Sequence, residues 1–149
     1  MNDTSATGNY YNINSIVLIT GLTDRTIRNY ISSGILTGEK INGLWHFTPE
    51  QVEAFIRHPA VKPSILAKKN AMVYDFLMDQ KKKEHSACVI LDLPGSDAKV
   101  AGEYFCYTIN RGDFRNIRYS FDNVNGTPRV ILVGDSHEVM GLVNGFYAL

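Results

Sequence analysis

Apolar positions in the first sixty residues recur at helical spacing, interrupted by short turn signals. Ile16, Val17 and Ile19 form a first cluster, with Asn14 or Ser15 placed to cap it and Gly21 placed to stop it. Thr23 is positioned to cap a second helix, with Asp24 in the first turn, where a carboxylate suits the positive end of the helix dipole. Ile27, Tyr30 and Ile31 fall at i, i+3 and i+4 and make one apolar stripe, leaving Arg25, Thr26, Arg28 and Asn29 to point elsewhere. Gly34 follows where a left-handed residue ends a helix most easily. Asn42-Gly43, between Ile41 and the run Leu44-Trp45-His46-Phe47, is a strong signal for a two-residue hairpin. Thr48-Pro49-Glu50-Gln51 then reads as a helix start with a capping box, Val52, Phe55 and Ile56 as its inner face, and Pro59 as its end. Tyr10 to Ile13 is expected to be a short extended lead, and residues 1–9 a disordered one.

From Pro63 a helix is predicted to run to about Lys83, its seam traced by Leu66, Lys69, Met72 or Val73, Phe76 and Leu77. Thereafter the pattern alternates. Ala87–Leu93 is an apolar strand, Pro94-Gly95 a turn, and Ser96 or Asp97 the cap of a helix with Ala101, Tyr104, Phe105, Thr108 and Ile109 on one face. Arg111-Gly112-Asp113 breaks that helix. Ile117, Tyr119 and Phe121 alternate with Arg118 and Ser120 as in a half-buried strand, Asn125-Gly126 turns the chain, and Arg129–Val133 returns. Asp135 and Glu138 form a capping box for a last helix burying Val139, Leu142, Val143 and Phe146. The fold class predicted is α+β: a winged helix-turn-helix over 10–60, a linking or dimerising helix over 63–83, and a β-α-β-β-α unit over 84–149.

Composition narrows the class without naming it. The 149 residues hold enough apolar content for a core, no apolar run nears a membrane span, and no basic-then-apolar leader stands first, so a cytoplasmic, membrane-independent protein is expected. Cys88 and Cys106 lack a CxxC partner, which argues against a disulfide or zinc framework; with His85 they lack a fourth ligand, and buried thiols are usually small apolar residues. Net charge is zero, yet unevenly spread. Five bases balance five acids over 1–62, five bases outweigh two acids over 63–83, and eight acids outweigh five bases over 84–149. A neutral first segment has to rely on the placement of its few cations if it is to bind a polyanion.

Tyr11-x-Ile13, Thr20-Gly21-Leu22-Thr23, Arg25-Thr26-Ile27-Arg28-x-Tyr30, Gly34-Ile35-Leu36 and the Asn42-Gly43 tip followed by aromatics fall in order over residues 11–57. This stretch resembles the DNA-binding domain of the MerR family of transcriptional regulators and the related excisionase-type winged helices. The resemblance implies that the second helix enters the major groove of double-stranded DNA, that the wing touches the backbone, and that a homodimer binds a twofold operator. Carried across by position, Arg25, Thr26 and Arg28 would face DNA, Tyr30 would sit near the phosphates, and Lys40 and Asn42 would lie in the wing. Thr23, Asn29 and His46 complete the candidate DNA-contacting set. Two positions depart from the family: Leu44-Trp45-His46-Phe47 stands where an aromatic and an arginine usually follow the wing tip, and Asn29 replaces a common aromatic.

Each candidate has a plainer reading. Arg25 and Arg28 also suit a solvated helix face, Trp45 an anchor of the hairpin on the core, and Lys81-Lys82-Lys83 a solvated helix end. Gly95-Ser96-Asp97 and Gly134-Asp135-Ser136 would share one edge of the sheet, and present two helix N-termini to an anion, only if their strands run parallel; otherwise each is a cap. No Ser-His-Asp order, carboxylate pair or P-loop stands out, so neither an enzyme nor a cofactor is expected. The reading is a MerR-like transcriptional regulator whose 84–149 unit dimerises or senses a small-molecule effector. The alternatives are an architectural DNA-binding protein of a mobile element, or a winged helix that binds protein beside a ligand-binding C-terminal unit.

Overall fold

Asn12 opens the first helix, two residues earlier than the pattern suggested. In the computed structural model, which describes residues 10–114 and 116–149, Asn12 accepts from the Ser15 amide at 2.8 Å while the Ser15 hydroxyl accepts from the Asn12 amide at 3.3 Å, a reciprocal cap. Neither Asn14 nor Ser15 is therefore the cap residue: the true cap reaches back because Ile13 is already helical and buried. Helix α1 spans Ile13–Thr20 and stops at Gly21, left-handed at φ 76°. The lead proposed over residues 1–9 lies outside the described residues.

Helix α2 covers Asp24–Ser32, capped by Thr23 as expected, and Gly34 (φ 81°) follows its end. Strands β1 (Glu39–Ile41) and β2 (Leu44–His46) pair antiparallel around Asn42 (φ 51°) and Gly43 (φ 81°), the two left-handed residues such a hairpin needs. Tyr11 bridges to Phe47, joining the chain's lead to the hairpin's base. Helix α3 (Pro49–Arg57) carries the anticipated Thr48/Gln51 capping box.

Helix α4 (Lys62–Met78) ends five residues short of the expected Lys83, so the triple-lysine run is not helical. Lys82 nevertheless folds back and donates to the Phe76 and Asp79 carbonyls, satisfying orphan acceptors at the helix C-terminus. The seam also differs: Ile65 and Met72 are buried, while Leu66 and Leu77 face outward. Strand β3 (Ser86–Asp92), helix α5 (Ala98–Arg111), strands β4 (Arg118–Val124) and β5 (Thr127–Asp135), and helix α6 (Ser136–Tyr147) complete the chain. Among the described residues the architecture is thus α+β, with six helices and two small antiparallel sheets.

The larger sheet has the order β3-β5-β4, both pairings antiparallel. Register sorts its side chains. Val89, Leu91, Val130, Leu132, Tyr119 and Phe121 share the face covered by α5 and α6; Cys88, Ile90, Ile131, Val133 and Ser120 share the opposite face, where Met72, Val73 and Phe76 of α4 pack. Ser120, expected on a polar face, is buried because that second face also has a layer over it. Helix α1 lies at the β4 side of the sheet and touches β4, α5, α4 and α2. One apolar cluster therefore runs from Ile16, Ile27 and Phe47 through Phe105 to Val139, and the proposed partition at residue 60 is not marked by a break in the core.

Candidate nucleic-acid interface

Burial of Ile27 fixes the orientation of α2. With that residue wholly inside, the helical period turns Arg25, Arg28 and Asn29 outward, and all three are exposed. The turn before the helix is held internally: the Thr20 hydroxyl donates to the Ile16 carbonyl at 2.7 Å and accepts from the Leu22 amide at 3.1 Å. Helix α4 braces that turn, since a Cβ placed on Gly21 would lie 3.3 Å from Lys68 Cβ. No pattern in the sequence signalled this contribution of Lys68, because it depends on a tertiary approach between residues 47 positions apart.

The candidate residues play unequal parts. Thr23 spends its hydroxyl on the cap, accepting from the Thr26 amide at 3.1 Å and donating to the Thr26 hydroxyl at 2.9 Å. Arg28 donates from Nε to Asp24 at 2.6 Å across one helical turn, with both side chains more than half exposed. Such a pair is worth less than ~1 kcal/mol, so a phosphate or base edge can compete for the guanidinium. Arg25 makes no ion pair with a described residue. Tyr30 is half-buried with its ring edge-on to Phe55, 5.4 Å between centroids, so it serves the core as well as the rim.

Within the hairpin the register divides the proposed wing contacts. Lys40 pairs with Trp45, and its Nζ lies 5.8 Å from the Trp45 ring centre; Glu39 pairs with His46. Lys40 and His46 therefore sit on opposite faces of the ribbon and cannot grip one backbone from the same side. His46 stands edge-on to Tyr10 instead. Trp45 stacks with Phe47 over the core, the anchoring role anticipated for it. Asn42 holds the tip in the left-handed region, leaving its exposed side chain outside the sheet. The tip's outward face carries Leu44, which is 67 % exposed.

The anion site considered at the two strand-to-helix turns does not form. Strands β3 and β5 run antiparallel, which puts the starts of α5 and α6 at opposite ends of the sheet. Asp97 accepts from the amides of Lys99 and Val100, and Asp135 from those of His137 and Glu138, so both are caps. Burial lifts the Cys106 thiol to about 12 and also raises that of Cys88, as suits small apolar residues of the interior. Among the described residues no cluster of three or more histidine, cysteine or carboxylate side chains could hold a metal, and no helix is long and apolar enough to cross a membrane. A cavity of about 120 Å³ lies between α3, α5 and β4, lined by Val52, Ile56, Gly102 and Phe121 among others. Comparison with protein families, curated proteins and solved structures found no match to this chain.

Proposed function

We propose that the chain is a sequence-specific DNA-binding transcriptional regulator in which α1, α2 and the β1–β2 hairpin act as a MerR-like winged helix-turn-helix, and that a homodimer reads a twofold operator. The observation that carries this reading is the outward ridge of α2: Arg25, Arg28 and Asn29 exposed on one side of a helix whose other side is locked by Ile27. Two guanidinium groups and an amide are the side chains best matched to guanine and adenine edges in the major groove. Lys40, at the hairpin, adds a cation for the phosphate backbone. In this reading a small effector of a few heavy atoms would enter the cavity between α3 and α5, where the head meets the sheet.

The test is selection from random duplex DNA followed by a mobility-shift titration. The wild type is expected to enrich a twofold-symmetric motif, and Arg25→Ala with Arg28→Ala to weaken binding to it by at least tenfold per lost base contact, since each good bidentate pair discriminates by about 1–3 kcal/mol. Enrichment of no motif, or a double variant that binds as well as wild type, overturns the assignment. A second reading, a protein-binding wing, is favoured by the exposed Leu44 on a ribbon face that otherwise carries Glu39, Ile41 and His46. Under that reading Leu44→Ser abolishes partner binding and the Arg25/Arg28 pair is dispensable.

A further inference from the structure

The sheet has one edge covered and one edge open. Helix α1 lies against β4, whereas among the described residues β3 pairs only with β5 and its far side meets no other strand. The bonds that bracket β3 show which backbone groups point outward. The His85 carbonyl accepts from Ser136 and the Leu93 amide donates to Pro128, so the odd-numbered residues between them face β5. Ser86, Cys88, Ile90 and Asp92 therefore turn their amides and carbonyls to the open edge. Edge strands are ordinarily protected by a lysine, a proline or a bulge. This one, Ser-Ala-Cys-Val-Ile-Leu-Asp, has none of them over seven residues.

Beside that edge runs an apolar groove. Its wall is the outer side of α4 and its floor is Ile90 and Ile131. Leu66 (54 %), Tyr74 (61 %), Leu77 (70 %) and Ile90 (52 %) are each more than half exposed around it. Large apolar side chains exposed together around one groove are the kind of feature that marks an interaction surface. The groove's charges are already neutralised within the chain, Lys69 by Asp122 and Arg129 by Asp92.

We infer that β3 and this groove are where a second copy of the chain docks, β3 against β3 in antiparallel register about Val89, making one six-stranded sheet. That register is self-complementary. It sets Ser86 opposite Asp92, Ala87 opposite Leu91, Cys88 opposite Ile90 and Val89 opposite itself. Every outward amide and carbonyl of the strand then has a mate, every central pair is apolar, and the two Asp92 carboxylates are kept apart at the ends. No such match would be expected of an arbitrary partner strand; a twofold interface needs it. Three strand spacings of about 4.8 Å would separate β5 from its mate, so two helices about 10 Å across would stand side by side, and Tyr74 and Leu77 of each would cover the other's groove. A stable interface takes roughly 800 Å² per partner, so the joined strands and the paired helices must both contribute.

This inference gives a surface to the dimer of the proposed regulator, yet it is tested without DNA. Sedimentation of the full chain at high micromolar concentration is expected to show twice the monomer mass of 16.7 kDa. Ile90→Lys, at an exposed position, should weaken self-association at least tenfold with an unchanged circular dichroism spectrum. In a Cys88→Ser background, Val89→Cys should form an intermolecular disulfide on mild oxidation, since a directly opposed pair lies within disulfide reach. A wild type at monomer mass, an Ile90→Lys variant that dimerises normally, or a Val89→Cys chain that stays uncrosslinked overturns it. An intact dimer that selects no DNA motif would instead sink the DNA reading alone.

Discussion

Lys69 of α4 donates from Nζ to Asp122 Oδ2 of β4 at 2.6 Å, with only 11 % of the lysine side chain exposed. The bond ties the helix to the sheet face that α5 and α6 leave free. Removing the cation strands a carboxylate under α4, so Lys69→Met is expected to cost about 1–3 kcal/mol in urea unfolding. Adding Asp122→Leu should recover most of that loss. Equal stability of wild type and Lys69→Met would mean that α4 is held by its apolar contacts alone.

Because α1 shares its core with α5 and the sheet, head and body should unfold together. Trp45, the only tryptophan, reports on the hairpin, while circular dichroism reports on every helix. The two denaturation curves are expected to coincide, and Ile16→Ala, at a wholly buried position, to shift both by the same amount, about 2–5 kcal/mol. A Trp45 transition that precedes the loss of helix would show the head to be a separate unit.

Glu103 supplies a pH signature. One of its carboxylate oxygens is buried without a partner among the described residues, and desolvation raises its pKa, against the lowering effect of Lys99. A carboxyl raised in the folded state keeps its proton longer than in the unfolded chain. Stability therefore falls as pH climbs from the unfolded value near 4.5 through the folded one, and the whole penalty is present at neutral pH. Glu103→Gln should stabilise the protein at pH 7 and match wild type below pH 4, judged by thermal melts across that range. A constant difference between the two proteins would rule out titration of Glu103 as the source.

The split faces of the hairpin separate Lys40 and His46, two candidate contacts that the sequence placed together. If the wing meets the phosphates through its Lys40 side, Lys40→Ala lowers the slope of log K against log salt by about 1. His46→Ala, on the face against Tyr10, should leave that slope unchanged. Reversal of the two results would mean that the ribbon presents its other face to DNA.

If two copies join β3 to β3 and bind DNA as proposed, the spacing of their half-sites follows. Six strands span about 24 Å, and at each end α1 and then α2 add about 8–10 Å apiece. The two α2 helices would stand about 56–64 Å apart, nearer to two helical turns of DNA than to the 34–36 Å of one. Selected operators should therefore carry half-sites two turns apart. A one-turn spacing would point to a dimer built on another surface.

What the sequence disclosed was local. Thr23, Thr48 and Asp97 cap helices as their spacing implies, and both Asn-Gly pairs make their hairpins, because these depend on a few neighbouring residues. Strand direction was not legible: an apolar run such as Ala87–Leu93 reads the same whether its neighbour is parallel or antiparallel, and the notion of a shared anion site failed on that point. The unbroken run Val130–Val133 did carry a clue, since successive residues of a strand cannot all be buried unless both faces are covered, and α4 proved to be the second layer. For the exposed ridge of α2, the outward direction of Arg25 was readable from Ile27, whereas the Asp24 partner of Arg28 and the opposed faces of Lys40 and His46 depend on the three-dimensional arrangement.

Helix α1 touches α2, β4, α4 and α5 at once, and so ties the N-terminal elements directly to the sheet. A lever with no elbow can be swung only at its fulcrum. If two copies join as proposed, a controlling signal would have to alter how the two arms meet, not how one arm bends.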